Sequence, residues 1–204
     1  MKLFVVRHGE SLGNLHLDQD MPDSPLTRFG NVQSQTAALL LCKQSITKIV
    51  SSPLVRAMET AKPLSELMSV PVEVWMDLYE YREGPSFHGR SRTELQKIVQ
   101  NTLLPEEISE SGWRCPGEEN HDLVQKRAKS VIQRIRSFSE DNLVLFSHGM
   151  LINFLIRELL HIADISRVQF AQSNTGINAF QLVGDQVEVL AINQTEHLRL
   201  LDAK

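Results

Sequence analysis

Phe4-Val5-Val6-Arg7-His8-Gly9 and Val144-Leu145-Phe146-Ser147-His148-Gly149 share one form: an apolar run, a polar residue, then His-Gly. A short unbroken apolar run suits a strand buried on both faces, the state of strands in a parallel sheet covered by helices. Residues 3–6, 46–51, 72–78 and 143–146 all read as strands, the third with partial alternation. Longer helical patterns alternate with them, so the class is α/β with a mostly parallel sheet wrapped by helices. In such a sheet ligands bind beyond the carboxyl ends of the strands, where loops from neighbouring strands converge. The two histidines, each just past a strand end, are therefore expected to face one another.

Outward from these strands, boundary signals place the helices. Ser52 as N-cap and Pro53 at the first helical position open a helix to about Met68. Leu123, Val124, Ala128, Val131, Ile132, Ile135 and Phe138 make the apolar stripe of another, with Lys126, Arg127, Lys129, Gln133, Arg134 and Arg136 as its solvated face. Further helices are expected over 30–43, 93–101 and 150–160. Residues 179–183 and 187–192 flank Gly184-Asp185-Gln186 and read as a hairpin or antiparallel edge. Residues 81–120, rich in Glu, Ser, Gly, Pro and Arg, form the least regular stretch. Long loops inside compact domains are usually functional, so this one is expected to be a lid-like insertion within a single domain over residues 1–204.

The chain has 204 residues, 21 basic against 25 acidic, and 42% hydrophobic. Without clustered Lys and Arg, a nucleic-acid partner is excluded. The longest apolar stretch, 143–160, is interrupted by Ser147, His148, Asn153 and Arg157, short of the roughly 20 apolar residues of a membrane span. Residues 3–6 before Arg7 are too few for a secretory core. Cys42 and Cys115 are too few for a disulfide scaffold and lack metal-ligand spacing, which suits two thiols in a reducing cytoplasm. The expectation is a cytoplasmic protein, monomer or homodimer, with no membrane partner, no metal and no cofactor.

Two more strand ends contribute chemistry. One leads into Ser52-Pro53-Leu54-Val55-Arg56, placing Arg56 at a helix N-terminus that itself carries partial positive charge. The other ends at Leu78-Tyr79-Glu80. Arg7, His8, Arg56, Glu80 and His148 together describe a site for a phosphoryl group. Guanidinium forks suit phosphate oxygens, and an imidazole nitrogen can attack phosphorus to give a phosphohistidine that water later cleaves. Nearby arginines disfavour imidazolium and keep His8 neutral. A carboxylic acid must protonate the departing alkoxide and afterwards, as carboxylate, activate water.

At this point the chain resembles the histidine phosphatase superfamily, in its phosphoglycerate mutase-like branch, over most of its length. Arg7-His8-Gly9-Glu10-Ser11 with Asn14 matches the family's RHGE motif, and Pro25-Leu26-Thr27 with Gly30 its L-T-x-x-G. Ser51-Ser52-Pro53-Leu54-Val55-Arg56-Ala57 through Ala61 matches its S-S-P-x-x-R-A-x-x-T-A. Leu78-Tyr79-Glu80, Pro116-Gly117-Glu118 and Ser147-His148-Gly149 match L-x-E, P-G-E and S-H-G, and Asn174 falls where the family often has Asn. The resemblance implies a three-layer sandwich around the sheet and a metal-independent phosphatase acting on a small phosphorylated substrate. It implies His8 as nucleophile, Arg7 and Arg56 as phosphate clamp, His148 as the histidine steadying the transferring group, and Glu80 as proton donor. Asn14 and Gly149 join Arg7 and Arg56 as substrate contacts.

Departures from the family pattern bear on the reaction. Tyr81-Arg82-Glu83-Gly84-Pro85-Ser86-Phe87-His88-Gly89 stands where the family continues to W-E-G, and Glu83 competes with the favoured Glu80 as the acid. Gly13 precedes Asn14 where mutases carry Trp, and 204 residues leave little room for a mutase insertion, so hydrolysis is favoured over phosphoglycerate mutase-type transfer. A silent phosphate-binding module is the third reading, disfavoured by the intact set. Glu10 and Ser11 read as turn residues, and Glu118 as a dipole partner in the first turn of its helix. His88, Arg82, Arg90 and Arg92 face either a second anionic group of the substrate or solvent. His16, His121, His161 and His197 carry no motif, and Trp75 and Trp113 read as packing, with Trp113 also a candidate for the rim.

Overall fold

A computed structural model describes residues 1–15, 22–138, 142–162 and 168–201; His16 lies outside them. Nine strands and five α-helices occur among these residues: β1 Lys2–Arg7, α1 Arg28–Leu41, β2 Lys48–Ser51, α2 Val55–Met68, β3 Val72–Val74, β4 Phe87–Gly89, α3 Arg92–Ile98, β5 Thr102–Leu103, β6 Trp113–Cys115, α4 His121–Arg136, β7 Leu143–Ser147, α5 Gly149–Leu159, β8 Ile177–Val183 and β9 Gln186–Gln194. Seven strands form one sheet in the order β5-β3-β2-β7-β1-β8-β9, and β4 and β6 form a separate antiparallel ribbon. From β5 to β1 the neighbours are parallel; β8 and β9 close the other edge antiparallel.

The expected three layers follow from strand alternation. Phe4, Val6, Ile49, Val144 and Phe146 point to one face, where Ala38 and Leu41 of α1, Met58, Ala61 and Leu64 of α2 and Leu95 of α3 cover them. Leu3, Val5, Val50, Leu143 and Leu145 point to the other, against Val124, Ala128, Val131 and Ile135 of α4 and Leu151 and Leu155 of α5. Both faces are filled, which is why these strands read as continuous apolar runs.

Three expectations are corrected. The helix expected from Ser52 starts at Val55: Ser52 Oγ accepts from the Leu54 N–H at 3.2 Å, and the Val55 N–H goes to Asp23 Oδ1 at 2.7 Å, so the cap comes from a distant carboxylate. The strand expected over 72–78 stops at Val74, and Met76–Leu78 form a 3₁₀ turn that redirects the chain. Within 81–120 the helix expected over 93–101 forms as α3, started by a capping box between Ser91 and Glu94, but it is followed by β5, a strand not expected there, which joins the main sheet beside β3. Among the described residues no helix is long and apolar enough to cross a membrane.

Candidate active site

Register brings the two His-Gly segments side by side. Arg7 and Ser147 pair at the ends of β1 and β7, so His8 and His148 each lie one residue past a shared rung. Their rings, 3% and 0% exposed, stand with centroids 5.1 Å apart and planes at 54°. His8 Nδ1 lies 2.7 Å from the Gly9 carbonyl, so Nδ1 holds the proton and Nε2 presents a lone pair. Burial, then the charge of Arg56 and of Arg7, hold this imidazole well below the usual histidine range, against the pull of the Gly9 carbonyl. His148 is held down likewise by burial, then by Arg56 and by His8 itself. Its Nε2 lies 2.8 Å from Ser52 Oγ, and its Nδ1 is buried without a partner among the described residues.

The cations arrive from separate elements. Arg7 Nη1 donates to the Gln172 carbonyl at 2.5 Å, while its buried Nε has no partner among the described residues. Arg56 is the second residue of α2, with Nη1 3.5 Å from the Pro22 carbonyl. Neither α2 nor α5 has a side-chain cap from its own N-cap residue; each receives a carboxylate from far away. Asp23 caps α2. Glu80 caps α5, Oε1 accepting from Leu151 N–H at 3.0 Å and Tyr81 N–H at 2.8 Å, and Oε2 from Met150 N–H at 3.3 Å. Anions are favoured at helix N-termini, and the 3₁₀ turn after β3 delivers Glu80 there. Glu80 also acts electrostatically on both Arg7 and Arg56, whereas Glu83 is exposed. Gly149 opens α5 with its Cα face against the Arg7 guanidinium, where an added Cβ would lie 3.5 Å from Nε.

Asn14 Oδ1 accepts from the Ser11 N–H at 3.1 Å, the Ser11 hydroxyl at 3.3 Å and Asn174 Nδ2 at 3.1 Å, which leaves its own Nδ2 free of partners among the described residues. Glu10 and Ser11 serve the turn: the Thr27 hydroxyl donates to Glu10 Oε1 at 2.7 Å. Gly9 and Gly30 let the RHGE turn touch the start of α1, since a Cβ on Gly30 would lie 2.0 Å from the Glu10 carbonyl oxygen.

In the 81–120 segment the basic residues divide. Arg92 is occupied by carbonyls of Ile108, Leu104 and Pro105, and Arg90 pairs with Glu94 at the surface. Arg82 lies over the Phe87 ring, acts electrostatically on Arg56 and keeps a buried Nε without a partner among the described residues. His88 is exposed and, with Asp23, Phe87 and Arg90, lines a cavity of about 230 Å³ beside α2. Trp113 is buried against Phe87 and Gly89, not at the rim, and Trp75 is core with its Nε1 on Glu73.

Several residues here carry roles that no sequence pattern assigned. Thr60 Oγ1 accepts from the Gly9 N–H at 2.9 Å and donates to the Arg56 carbonyl at 2.6 Å, tying both arginine-bearing segments together. Glu118 is not in the first turn of its helix: α4 begins at His121 with Asn120 as N-cap, and Glu119 is the buried acid, paired with Arg127 at 2.6 Å. Arg127 therefore leaves the solvated face assigned to it. The P-G-E-E run held the signal, but periodicity cannot say which glutamate turns inward.

Asp23 is 6% exposed, with Oδ2 unpartnered among the described residues, and burial pushes its carboxyl up to about 6 against the Val55 N–H and the Arg56 charge. The folded state thus holds an extra proton between an unfolded value of 3.8 and about 6, and this group's contribution to stability declines as pH rises through that window. Asp23→Asn cannot ionise. Thermal unfolding of both proteins from pH 4 to pH 7 is expected to show the difference in midpoint moving in the variant's favour as pH rises. A difference independent of pH would return Asp23 to the ordinary carboxylate range.

Among the described residues no three His, Cys, Asp or Glu side chains form a group that could hold a metal ion. The profile of the histidine phosphatase superfamily (branch 1) matches residues 3–195. A protein of Hydrogenobacter thermophilus named "Putative phosphoserine phosphatase 2" is 27% identical over 203 residues, 98% of each chain. "Probable phosphoglycerate mutase GpmB" of Photorhabdus laumondii is 27% identical over 169 residues, 78% of this chain and 75% of its own. Among solved structures, phosphoserine phosphatase of Entamoeba histolytica, in complex with 3-phosphoglyceric acid, superposes with a TM-score of 0.69 at 26% identity, covering 97% of this chain and 98% of that one.

Proposed function

Because the chain belongs to the histidine phosphatase superfamily (branch 1), we propose that it hydrolyses a small phosphate monoester through a phosphohistidine on His8. The observation that carries this reading is the set of unused polar atoms converging at the strand ends: a bare Nε2 on His8 and the partnerless, buried Nδ1 of His148 and Nε of Arg7. Buried donors are rarely left unpaired, and a phosphoryl group would satisfy these. With the Ser52 hydroxyl donating to His148 Nε2, the ring proton sits on Nδ1 and is available to a phosphoryl oxygen.

Nε2 of His8 attacks phosphorus as the bond to the ester oxygen breaks, and Glu80 gives its proton to the departing alkoxide. Arg7, Arg56, His148 and Asn14 Nδ2 hold the phosphoryl oxygens, where charge is spread in the transition state. Glu80, now a carboxylate, takes a proton from water; the water oxygen attacks phosphorus, the P–N bond breaks and inorganic phosphate leaves. Position supports Glu80 over Glu83 for this role: Glu80 stands beside Arg7 and Arg56 at the strand ends, whereas Glu83 is exposed. Arg82 extends the cationic rim and suits a substrate carboxylate, which makes phosphoserine, named for two relatives, the first ester to test. The free thiols of Cys42 and Cys115 suit a reducing cytoplasm.

The test is phosphate release, with chelator present, from phosphoserine, phosphoglycerates, nitrophenyl phosphate, sugar phosphates and nucleotides. Release from at least one is expected. A phosphoglycerate isomerised with its phosphate retained would select the mutase reading instead. First-turnover release of the leaving group separates the acid from the later water step: Glu80→Gln is expected to slow it by about 10²-fold or more for serine and much less for nitrophenolate, which needs no proton. Equal slowing would move the acid to Glu83.

A further inference from the structure

The loop entering β8 carries a backbone conformation that its sequence does not favour. Thr175 has φ +54°, in the left-handed region that a β-branched residue rarely occupies, and it is fully buried. Such outliers persist only where surrounding structure over-determines them. What the conformation achieves is specific. The Thr175 N–H is shared between the carbonyls of Arg7 at 3.1 Å and His8 at 3.2 Å, just beyond the last rung of β1. Asn174 Nδ2 adds a second donor to the His8 carbonyl at 3.1 Å.

The clamp on Thr175 comes from the C-terminal turn, Glu196–Leu200. The Thr175 hydroxyl donates to the Asn174 carbonyl at 2.8 Å, and a hydroxyl has one proton. The 3.0 Å contact between Thr175 Oγ1 and His197 Nε2 is therefore donated by the imidazole. His197 is 5% exposed, and its Nδ1, left as a lone pair, is buried without a partner among the described residues. A buried histidine committed to one tautomer and one acceptor is a fixed strut.

We propose that His197 and Thr175 are positioning residues for phosphoryl transfer: His197 locks Thr175 in the left-handed conformation that aims its N–H at the Arg7 and His8 carbonyls, fixing the nucleophile and the first arginine of the clamp. The proposal rests on His8 as nucleophile. Released from His197, Thr175 relaxes to negative φ, its N–H turns away and the end of β1 loosens. Small misplacements of a nucleophile cost rate more than binding, because Arg56 still draws the phosphate in.

The experiment measures kcat, KM and thermal midpoint with nitrophenyl phosphate for wild type, His8→Ala, His197→Ala and His197→Gln. His197→Ala is then repeated in a Thr175→Gly background. His197→Ala is expected to lower kcat by about 10- to 100-fold with KM little changed, at temperatures where it is folded. His197→Gln, whose amide can donate to Oγ1, restores most of the rate. Glycine adopts left-handed φ without a clamp, so in the Thr175→Gly background His197→Ala costs less than about twofold, the shrinkage that marks coupled residues. Wild-type kcat in folded His197→Ala, failure of Gln to restore it, or an undiminished loss in the Gly background would overturn the proposal. Undiminished turnover in His8→Ala would instead remove the phosphohistidine reading on which it stands.

Discussion

His8→Ala is expected to lose at least about 10³-fold in kcat on every ester the protein hydrolyses, with fold and thermal midpoint close to wild type. The size of the loss follows from the geometry. With the Ser52 hydroxyl donating to His148 Nε2, His8 Nε2 is the ring nitrogen of the facing pair left as an acceptor. The described hydroxyls at these strand ends are engaged: Ser147 bonds to the Leu78 carbonyl at 3.0 Å, and Ser52, fully buried, lies 2.8 Å from His148 Nε2. On the proposed roles of Arg7 and Arg56, phosphate binding is expected to survive, so phosphate or an ester should still protect the variant against heat. Acid quench of wild type with labelled ester should trap phosphate on the protein in an acid-labile form, and the variant should trap none. Turnover within tenfold of wild type would end the covalent mechanism.

Arg127→Ala is expected to be the most damaging single change to stability among the charged side chains described, at about 3–5 kcal/mol. Arg127 and Glu119 have side chains only 9% and 7% exposed and form a doubled pair, Nη2 to Oε2 at 2.6 Å and Nε to Oε1 at 3.0 Å. Removing the guanidinium strands a buried carboxylate, and it frees the carbonyls of Asp77 and Tyr79, which Arg127 Nη1 binds at 2.9 and 2.7 Å. It also strips the cation from the Tyr79 ring, 3.8 Å from the centroid. Thermal unfolding should show a midpoint lower by roughly 10 °C, with activity lost ahead of unfolding because the released segment carries Glu80. The double change Glu119→Gln with Arg127→Met, which leaves no stranded charge, should recover much of the stability. For contrast, Lys62–Glu66 is an exposed pair at 3.9 Å, and Lys62→Ala should cost well under about 1 kcal/mol. Equal costs for Lys62→Ala and Arg127→Ala would show that burial does not set the value of the Arg127 pair.

The parts of this molecule that the sequence announces are those whose pattern is local. β1 and β7 announce themselves because burial on both faces leaves no polar residue inside the run, and the His-Gly ending of each points to the strand terminus. Parallel register then does what the repeated pattern implies, setting Arg7 opposite Ser147. Glu80 was readable as a candidate, but the turn that carries it to the N-terminus of α5 was not, since Met76-Asp77-Leu78 continues the partial alternation of Val72-Glu73-Val74. Asp23, Thr175 and His197 were illegible for a common reason. Their partners are remote in sequence, as with Asp23 and Val55, 32 residues apart, and no periodicity encodes a hydrogen bond of that kind. The start of α2 shows the cost of local reading: Ser52-Pro53 has a good helix-opening pattern, yet the serine serves His148 and a distant carboxylate takes its place.

The order of strands in the sheet also has a consequence for how the protein comes into being. Among the described strands β1 pairs with β7 and β8, so Leu3 waits for Leu143, 140 residues later on the ribosome, before its backbone finds a strand partner. Until then Leu3-Phe4-Val5-Val6 travels as an unpaired apolar strand, the kind of segment that recruits chaperones or aggregates. Pairings of such long range close late and slowly. The end of β1 that bears Arg7 and His8 is thus set late, when β7 and β8 enclose it, and the same event brings His148 beside His8.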